Sequence, residues 1–234
     1  MILLDSISQN SVVYTEETLT IIELIKSTGT AGIIIISFLF VLSLISFYIF
    51  CERFLTIKKI DKNDQDFIEK INKLTKENKL QEAEDLCLNN DSVISRLIKK
   101  GLKRAHRPLI EIESVIESQA NVEISKIERN LSYLATISGA APMIGFLGTV
   151  IGMILAFHEM ANAGGSNVDV KLLSTGIYTA MITTVAGLIV GIGAYISYNI
   201  LVSKVSKIVL DTETKTIGFI ENIIDKRNES QKKK

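Results

Sequence analysis

Three long stretches without a charged side chain constrain what this chain can fold into. They cover residues 27–51, 130–158 and 172–203, and none of them contains Asp, Glu, Lys or Arg. A helix that crosses a membrane needs about 20 consecutive, mostly apolar residues, and each stretch is longer than that. The sequence therefore predicts an all-α integral membrane protein with three transmembrane helices, at 30–51, 131–158 and 172–203.

Lysine and arginine residues are distributed unevenly around these spans. Of the 26 basic residues, 16 lie between Arg53 and Arg129, and eight lie from Lys204 onward. Because cytoplasmic loops are enriched in Lys and Arg, we expect the N-terminus to lie outside the cytoplasm and the C-terminus inside it. The predicted extracytoplasmic parts are 1–29 and the link 159–171, and the predicted cytoplasmic parts are the loop 52–130 and the tail 204–234.

These basic clusters belong to a chain whose formal net charge is zero. Their position beside the spans accounts for them, so no nucleic-acid partner is needed. Basic residues that follow a span on the cytoplasmic side are attracted to anionic lipid headgroups. We expect such contacts with membrane lipids for the residues Arg53, Lys58, Lys59 and Lys62.

The loop 52–130 shows helical periodicity interrupted by polar breaks. Apolar residues recur at helical spacing around Ile71, around Ala83 and around Leu97, and the third group is broken at Gly101 and Pro108. Short amphipathic helices of this kind cannot bury their apolar faces alone. They predict a small cytoplasmic helical bundle.

Two of the predicted helices extend beyond the membrane into the cytoplasm. After Pro108 there is no further helix breaker until Gly139, which predicts one helix from about Leu109 to about Phe157, roughly 70 Å long. Pro142 is expected to bend this helix where it enters the lipid. The third uncharged stretch also exceeds the hydrocarbon thickness of about 30 Å, so its helix is expected to project into the cytoplasm.

The second and third predicted spans each carry small residues along one face. Helices in lipid associate through close backbone approach and hydrogen bonds, and small residues favour both. The faces therefore indicate helix–helix contact, either in a dedicated assembly or in ordinary bundle packing. Their packing residues are Pro142, Gly145, Gly148 and Gly152 in the second span and Gly176, Gly187 and Gly191 in the third.

The sequence shows no pattern typical of an enzyme. It contains no nucleophile and base set, no cluster of metal ligands and no phosphate-binding loop, so we expect no catalytic site, cofactor or metal. Cys51 and Cys87 lack the spacing of a CxxC motif. We expect both to be reduced thiols.

Residues 139–157, GAAPMIGFLGTVIGMILAF, and 176–199, GIYTAMITTVAGLIVGIGAYISYN, resemble the second and third spans of the MotA/TolQ/ExbB proton-channel family. The segment 80–102, LQEAEDLCLNNDSVISRLIKKGL, extends the similarity into the loop. Three spans and an external N-terminus are similar to the ExbB and TolQ branch. The resemblance implies a pentamer around a dimer of an ExbD-like, single-span partner in the bacterial inner membrane. Such a complex uses the proton-motive force to drive a TonB-like or TolA-like protein.

The resemblance also implies which residues meet the ion. The family threonine of the GTVxG motif corresponds to Thr149, and that of the TxxGL segment corresponds to Thr184. The best-known ExbB proteins have a glutamate where this chain has Thr179, so no predicted span contains a carboxylate. A charge in mid-membrane is costly and normally marks an ion path. We therefore expect the titrating acid to come from the partner, with Thr149, Thr179, Thr183 and Thr184 along the ion pathway.

Three alternatives stay open at this point. The threonines could simply donate to backbone carbonyls of their own helices, as membrane threonines often do. The complex could be a TolQ-like machine for envelope integrity, or another motor. A non-conducting membrane scaffold would need the same small faces and would show no ion flux with any partner.

Overall fold

The computed structural model describes residues 29–60, 65–77, 79–162 and 170–232, and this part of the chain is built from helices alone. Three of the helices are long and apolar enough to cross a membrane, which confirms the predicted all-α class with three spans. The predicted segment 1–29, except for its last residue, and residues 163–169 of the predicted link lie outside the described residues. The helices are α1 Gly29–Ile60, α2 Gln65–Lys76, α3 Leu80–Leu88, α4 Val93–Leu102, α5 Leu109–Glu128, α6 Leu131–Asn162 and α7 Val170–Lys232.

The first span, α1, exposes most of its large apolar side chains. Phe47 and Tyr48, for example, keep 68% and 71% of their surface exposed in the single chain. Its packing side is narrow: Leu39 is buried in a small cluster with Ala141 of α6 and Ala194 of α7. The helix therefore lies against the other two spans along one edge and presents its remaining surface outward.

The prediction of one continuous helix from Leu109 through the second span is wrong. The structure ends α5 at Glu128 and starts α6 at Leu131, and Asn130 between them has a positive φ of 68°. Asparagine adopts this left-handed conformation more readily than most residues. The carbonyl of Lys126, in the last turn of α5, accepts a hydrogen bond from Arg53 of α1 at 3.4 Å. The helix that contains the second span, α6, ends at Asn162, beyond the predicted Phe157.

The third span continues without interruption into the predicted tail. Helix α7 contains 63 residues, which corresponds to roughly 95 Å at 1.5 Å per residue. This confirms that the helix is longer than the lipid requires. Near its end, Arg227 donates hydrogen bonds to the carbonyls of Ala105 and Arg107, at 3.2 and 2.7 Å, and so fixes the helix to the connection between α4 and α5.

A second core forms where α2, α3, α4 and α5 pack against α7 and against one end of α1 and of α6. Gly101, predicted to interrupt a helix, instead lies in the last turn of α4. A methyl group built onto it would lie 2.8 Å from Ile116 and 3.1 Å from Phe219, so this glycine permits close packing. The fully buried large side chains of this core are Ile57, Ile71, Leu97, Ile98, Ile112, Leu134, Leu201 and Phe219.

One buried carboxylate ties α4 to α5. Glu123 is 2% exposed and accepts hydrogen bonds from Arg96 and Lys126, each at 2.9 Å, and from Gln119. Burial alone would raise the pKa of Glu123, but the hydrogen bonds and charges of Arg96 and Lys126 outweigh it, so the pKa is lowered. The carboxylate therefore stays ionised and holds the two helices together beside the break at Asn130.

Candidate functional site between the second and third spans

Helices α6 and α7 pack antiparallel along their small faces within one chain. Gly145 lies opposite Gly187, and a methyl group built onto Gly187 would lie 2.8 Å from the Gly145 Cα. About two turns further along the pair, a methyl group on Gly152 would lie 3.1 Å from Ala180. No larger residue fits such a contact without moving a backbone.

The remaining packing residues lie along the same contact. Gly191 packs against the ring of Pro142, at 2.5 Å from the position of a built methyl group, and Gly176 packs against Ala156. Gly148 packs against a polar side chain, that of Thr183. The small faces thus meet each other in the single chain, which is ordinary bundle packing in geometry.

Two threonine hydroxyls of α7 are directed at one carbonyl of α6. Thr183 is 1% exposed, and its Oγ1 lies 2.7 Å from the Ala180 oxygen and 3.2 Å from the Gly145 oxygen. Thr184 is half-buried, and its Oγ1 lies 3.3 Å from the same Gly145 oxygen. These are the hydrogen bonds that join the two spans at mid-height.

Thr149 makes a different hydrogen bond. Its hydroxyl donates to the Phe146 carbonyl of its own helix at 2.7 Å, and the residue is half-buried. Each residue turns a helix by about 100°, so in an antiparallel pair the residue that follows each contact residue turns to the same side. Gly148 and Thr183 are contact residues, so Thr149 and Thr184 lie on one common side of the pair.

Span one covers the opposite side of the α6–α7 pair. Leu39 of α1 belongs to the cluster against which Ile144, Ala186 and Val190 pack. The side that carries Thr149 and Thr184 is uncovered in the single chain, and we call it the open side. Its large apolar side chains are exposed, among them Phe146, Met181, Leu188 and Tyr195.

Thr179 is not brought to the open side. It lies five residues before Thr184, which places it about 140° away around α7, towards the side that α1 covers. The residue is half-buried. Of the four threonines predicted along the ion pathway, the structure thus brings Thr149 and Thr184 together, encloses Thr183 between the helices and separates Thr179.

Comparison with known proteins decides the family. The sequence profile of the MotA/TolQ/ExbB proton channel family matches residues 89–214, more than half of the chain. The chain belongs to this family. The matched region begins just after α3, ends at residue 214 within α7 and contains the whole α6–α7 contact.

The individual relatives include proteins named ExbB and proteins named TolQ. The biopolymer transport protein ExbB of Aquifex aeolicus is 38% identical over 97 residues, which cover 42% of this chain and 64% of that protein. The Tol-Pal system protein TolQ of Haemophilus influenzae is 37% identical over 91 residues, 39% of either chain. The aligned segments span about a third to just under two thirds of the curated relatives' length.

In this member of the MotA/TolQ/ExbB family, the Gly145 carbonyl accepts from Thr183 and Thr184, a contact that sequence reasoning missed. A sequence does not show which backbone oxygen will accept a side-chain hydrogen bond. The adjacent Thr183 and Thr184 beside a glycine face indicate only that a hydrogen bond between helices is possible there. Within the described ranges there is no group of His, Cys, Asp and Glu that could hold a metal. Cys51 and Cys87 are both free, and burial raises the pKa of the Cys87 thiol to about 11.

Proposed function

We propose that this protein is the ion-conducting stator subunit of an energy-transducing complex in the inner membrane. It couples the proton-motive force, through an ExbD-like single-span partner, to a TonB-like protein that drives transport across the outer membrane. The observation that supports this is the open side, where the Thr149 and Thr184 hydroxyls lie in spans without any Asp or Glu. A channel-family subunit of this kind needs a carboxylate from elsewhere.

The open side suits a carboxyl group that alternates between two protonation states. A hydroxyl can donate to an ionised carboxylate and can accept from a protonated carboxyl or a water molecule. Because an isolated charge in mid-membrane is costly, the ionised acid favours an arrangement in which hydroxyls face it. Protonation removes that preference. The potential supplies about 2.3 kcal/mol per elementary charge for each 100 mV, which is available to bias two such arrangements.

The assembly we propose follows the family resemblance. Several copies of the chain, a pentamer by analogy, surround the partner's span with their open sides directed inward. The N-terminus lies outside the cytoplasm and the C-terminus inside, so that α2 to α5 and the end of α7 form a cytoplasmic base. Arg53, Lys58 and Lys59 at the end of α1 then lie at the height of anionic headgroups.

The decisive experiment measures proton flux in liposomes. We expect no flux with this protein alone, and flux when an ExbD-like partner with an aspartate in its span is added. The matched control is the same partner with that aspartate changed to asparagine, which keeps size and removes the titrating group. Flux without a partner, or equal flux with the asparagine control, contradicts the proposal. Assembly without flux under any condition would favour the non-conducting scaffold.

A TolQ-like role is the second candidate, because TolQ relatives match this chain over nearly the same share as ExbB relatives do. The two roles drive different machines with the same ion path. Expression in cells that lack either their own ExbB or their own TolQ separates them. Restored energy-dependent uptake favours the ExbB-like role, and restored detergent resistance favours the TolQ-like role.

A further inference from the structure

Three threonines meet at the carbonyl oxygen of Gly145. Thr183 and Thr184 place their hydroxyl oxygens 3.2 and 3.3 Å from it. In an α-helix the same oxygen accepts the backbone N–H of the residue four positions later, which is Thr149. One atom of the second span is thereby connected to both threonines of the open side and to one that is enclosed.

The two hydroxyls differ in the alternatives open to them. Thr183 has one hydroxyl proton and two acceptors within reach, the Gly145 oxygen and the Ala180 oxygen at 2.7 Å. The Ala180 carbonyl stays hydrogen-bonded when this proton turns away, because it still accepts the backbone N–H of Thr184 within the helix. Thr183 is 1% exposed, whereas Thr184 borders the open side.

The fit around Thr183 depends on a missing side chain. A methyl group built onto Gly148 would collide with the Oγ1 and the Cβ of Thr183. Position 148 therefore admits the threonine side chain only because it is glycine. The Thr183 side chain is thereby enclosed between the two helices.

We propose that Thr183 is a positioning residue that keeps the Gly145 carbonyl hydrogen-bonded whenever Thr184 turns its hydroxyl towards a group on the open side. In that event Thr183 turns its own proton from Ala180 to Gly145. This exchange keeps one hydroxyl hydrogen bond between α6 and α7, because the bond from Thr183 to Gly145 crosses the helix contact whereas the bond to Ala180 lies within α7. The inference rests on the proposed function, since it assumes that the ion path runs along the open side.

Carbonyl NMR tests the exchange without any ion flux. Labelling glycine with ¹³C at the carbonyl and phenylalanine with ¹⁵N selects the two Gly–Phe pairs of the chain, at 145–146 and 218–219. Loss of a hydrogen bond moves a carbonyl carbon resonance upfield. We expect the Gly145 signal to stay nearly in place in Thr183→Val and in Thr184→Val, because the other hydroxyl replaces the lost one, and to move upfield in the double variant.

Gly218 serves as the internal reference, because its carbonyl accepts Asn222 far from both threonines. A Gly145 signal that does not move in the double variant overturns the proposal. A full upfield shift in either single variant overturns it as well, since the second hydroxyl has then failed to take over.

Flux measurements test the positioning role. We expect Thr183→Val to lower partner-dependent proton flux by roughly three- to tenfold, the effect of one neutral hydrogen bond. Thr183→Ser keeps the hydroxyl and should restore the flux. The matched control is Thr136→Val, an exposed threonine of the same helix bundle that bonds only to Ser132 of its own helix.

Unchanged flux in Thr183→Val, or a loss that Thr183→Ser does not restore, overturns the positioning role and leaves Thr183 as helix packing. If the unaltered protein conducts no protons with any partner, the proposed function fails instead. The NMR comparison still decides in that case whether the two hydroxyls share the carbonyl.

Discussion

The hydroxyl groups of Thr149 and Thr184 are held by different carbonyls, although both border the open side. Thr184 reaches across the helix contact to Gly145, whereas Thr149 bonds within its own helix to Phe146. In each case the single proton is engaged and the oxygen lone pairs remain able to accept. Both hydroxyl oxygens can therefore accept a hydrogen bond from a protonated carboxyl while these two hydrogen bonds stay in place.

The first residue-scale prediction concerns the double variant Thr149→Val, Thr184→Val. Valine keeps the size of threonine and removes the hydroxyl, so a polar role predicts that partner-dependent proton flux falls by at least about tenfold. A hydrogen bond to a charged group contributes about 1.5 to 3 kcal/mol, which is consistent with that loss. Thr179→Val is the control, since Thr179 lies on the other side of α7. Normal flux in the double variant would leave both threonines as packing residues.

Thr149 and Thr184 could be selected from the sequence, because helical spacing and the family motifs place them beside glycine faces. Helical spacing also separates Thr179 from them, but the sequence could not show that this separation affects function. It matters only once the position of α1 is known, and that position depends on side chains such as Leu39 and Val190 that touch across helices. Shared acceptors such as the Gly145 oxygen depend in the same way on tertiary structure.

At the scale of elements, the contact between α6 and α7 depends on glycines that face backbone. A built methyl group on Gly187 would lie 2.6 Å from the Ala141 carbonyl oxygen. Gly193, six residues further along α7, is exposed and has no atom within 4 Å of a built methyl group. Both glycines lie in α7, but Gly187 faces the backbone of α6 whereas Gly193 faces open space.

We expect Gly187→Leu to destabilise the protein by about 1 to 3 kcal/mol, the usual cost of overpacking a close contact. Gly193→Leu should leave stability unchanged or slightly raised, because leucine favours the helix more than glycine does. Thermal unfolding in detergent, followed by circular dichroism, measures both. Equal midpoints for the two variants would mean that α6 and α7 are not in close contact at Gly187.

The break between α5 and α6 shows where element boundaries escape sequence reasoning. Apolar spacing continues from Ile127 to Leu131, and both are buried, so the periodicity carries no sign of an interruption. Asn130 takes its left-handed conformation only where the surrounding packing favours it. The hydrogen bond from Arg53 to Lys126, 73 residues apart in the chain, is part of that packing.

At the scale of the whole molecule, the third span and the second core share one long helix, α7. About 20 residues suffice to cross a bilayer, so most of the 63 residues of α7 lie beyond it. The part beyond the membrane supplies buried residues such as Phe219 to the same core as α2 to α5. A shift of α7 relative to α6 at the open side would therefore also move α7 within that second core, since one continuous helix connects them.

Charge distribution gives this architecture an expected direction in the membrane. The basic residues concentrate between the first two spans and from Lys204 onward. Cytoplasmic segments are enriched in Lys and Arg, so we expect these two parts of the chain to lie in the cytoplasm. The lengths of the uncharged stretches were enough to predict three spans. The packing contacts between the helices do not distinguish the two sides of the membrane, because they are the same whichever way the molecule is inserted.

Single cysteines and a membrane-impermeant thiol reagent test the orientation. The background is Cys51→Ser, Cys87→Ala, which removes both native thiols. In intact cells we expect the reagent to label Ser11→Cys and Asn167→Cys and to spare Asp91→Cys and Ser230→Cys. The Asp91 side chain is 97% exposed, so burial cannot protect a cysteine there, and permeabilised cells should label it. Labelling of Asp91→Cys before permeabilisation would reverse the orientation, and with it the assignment of α2 to α5 to the cytoplasm.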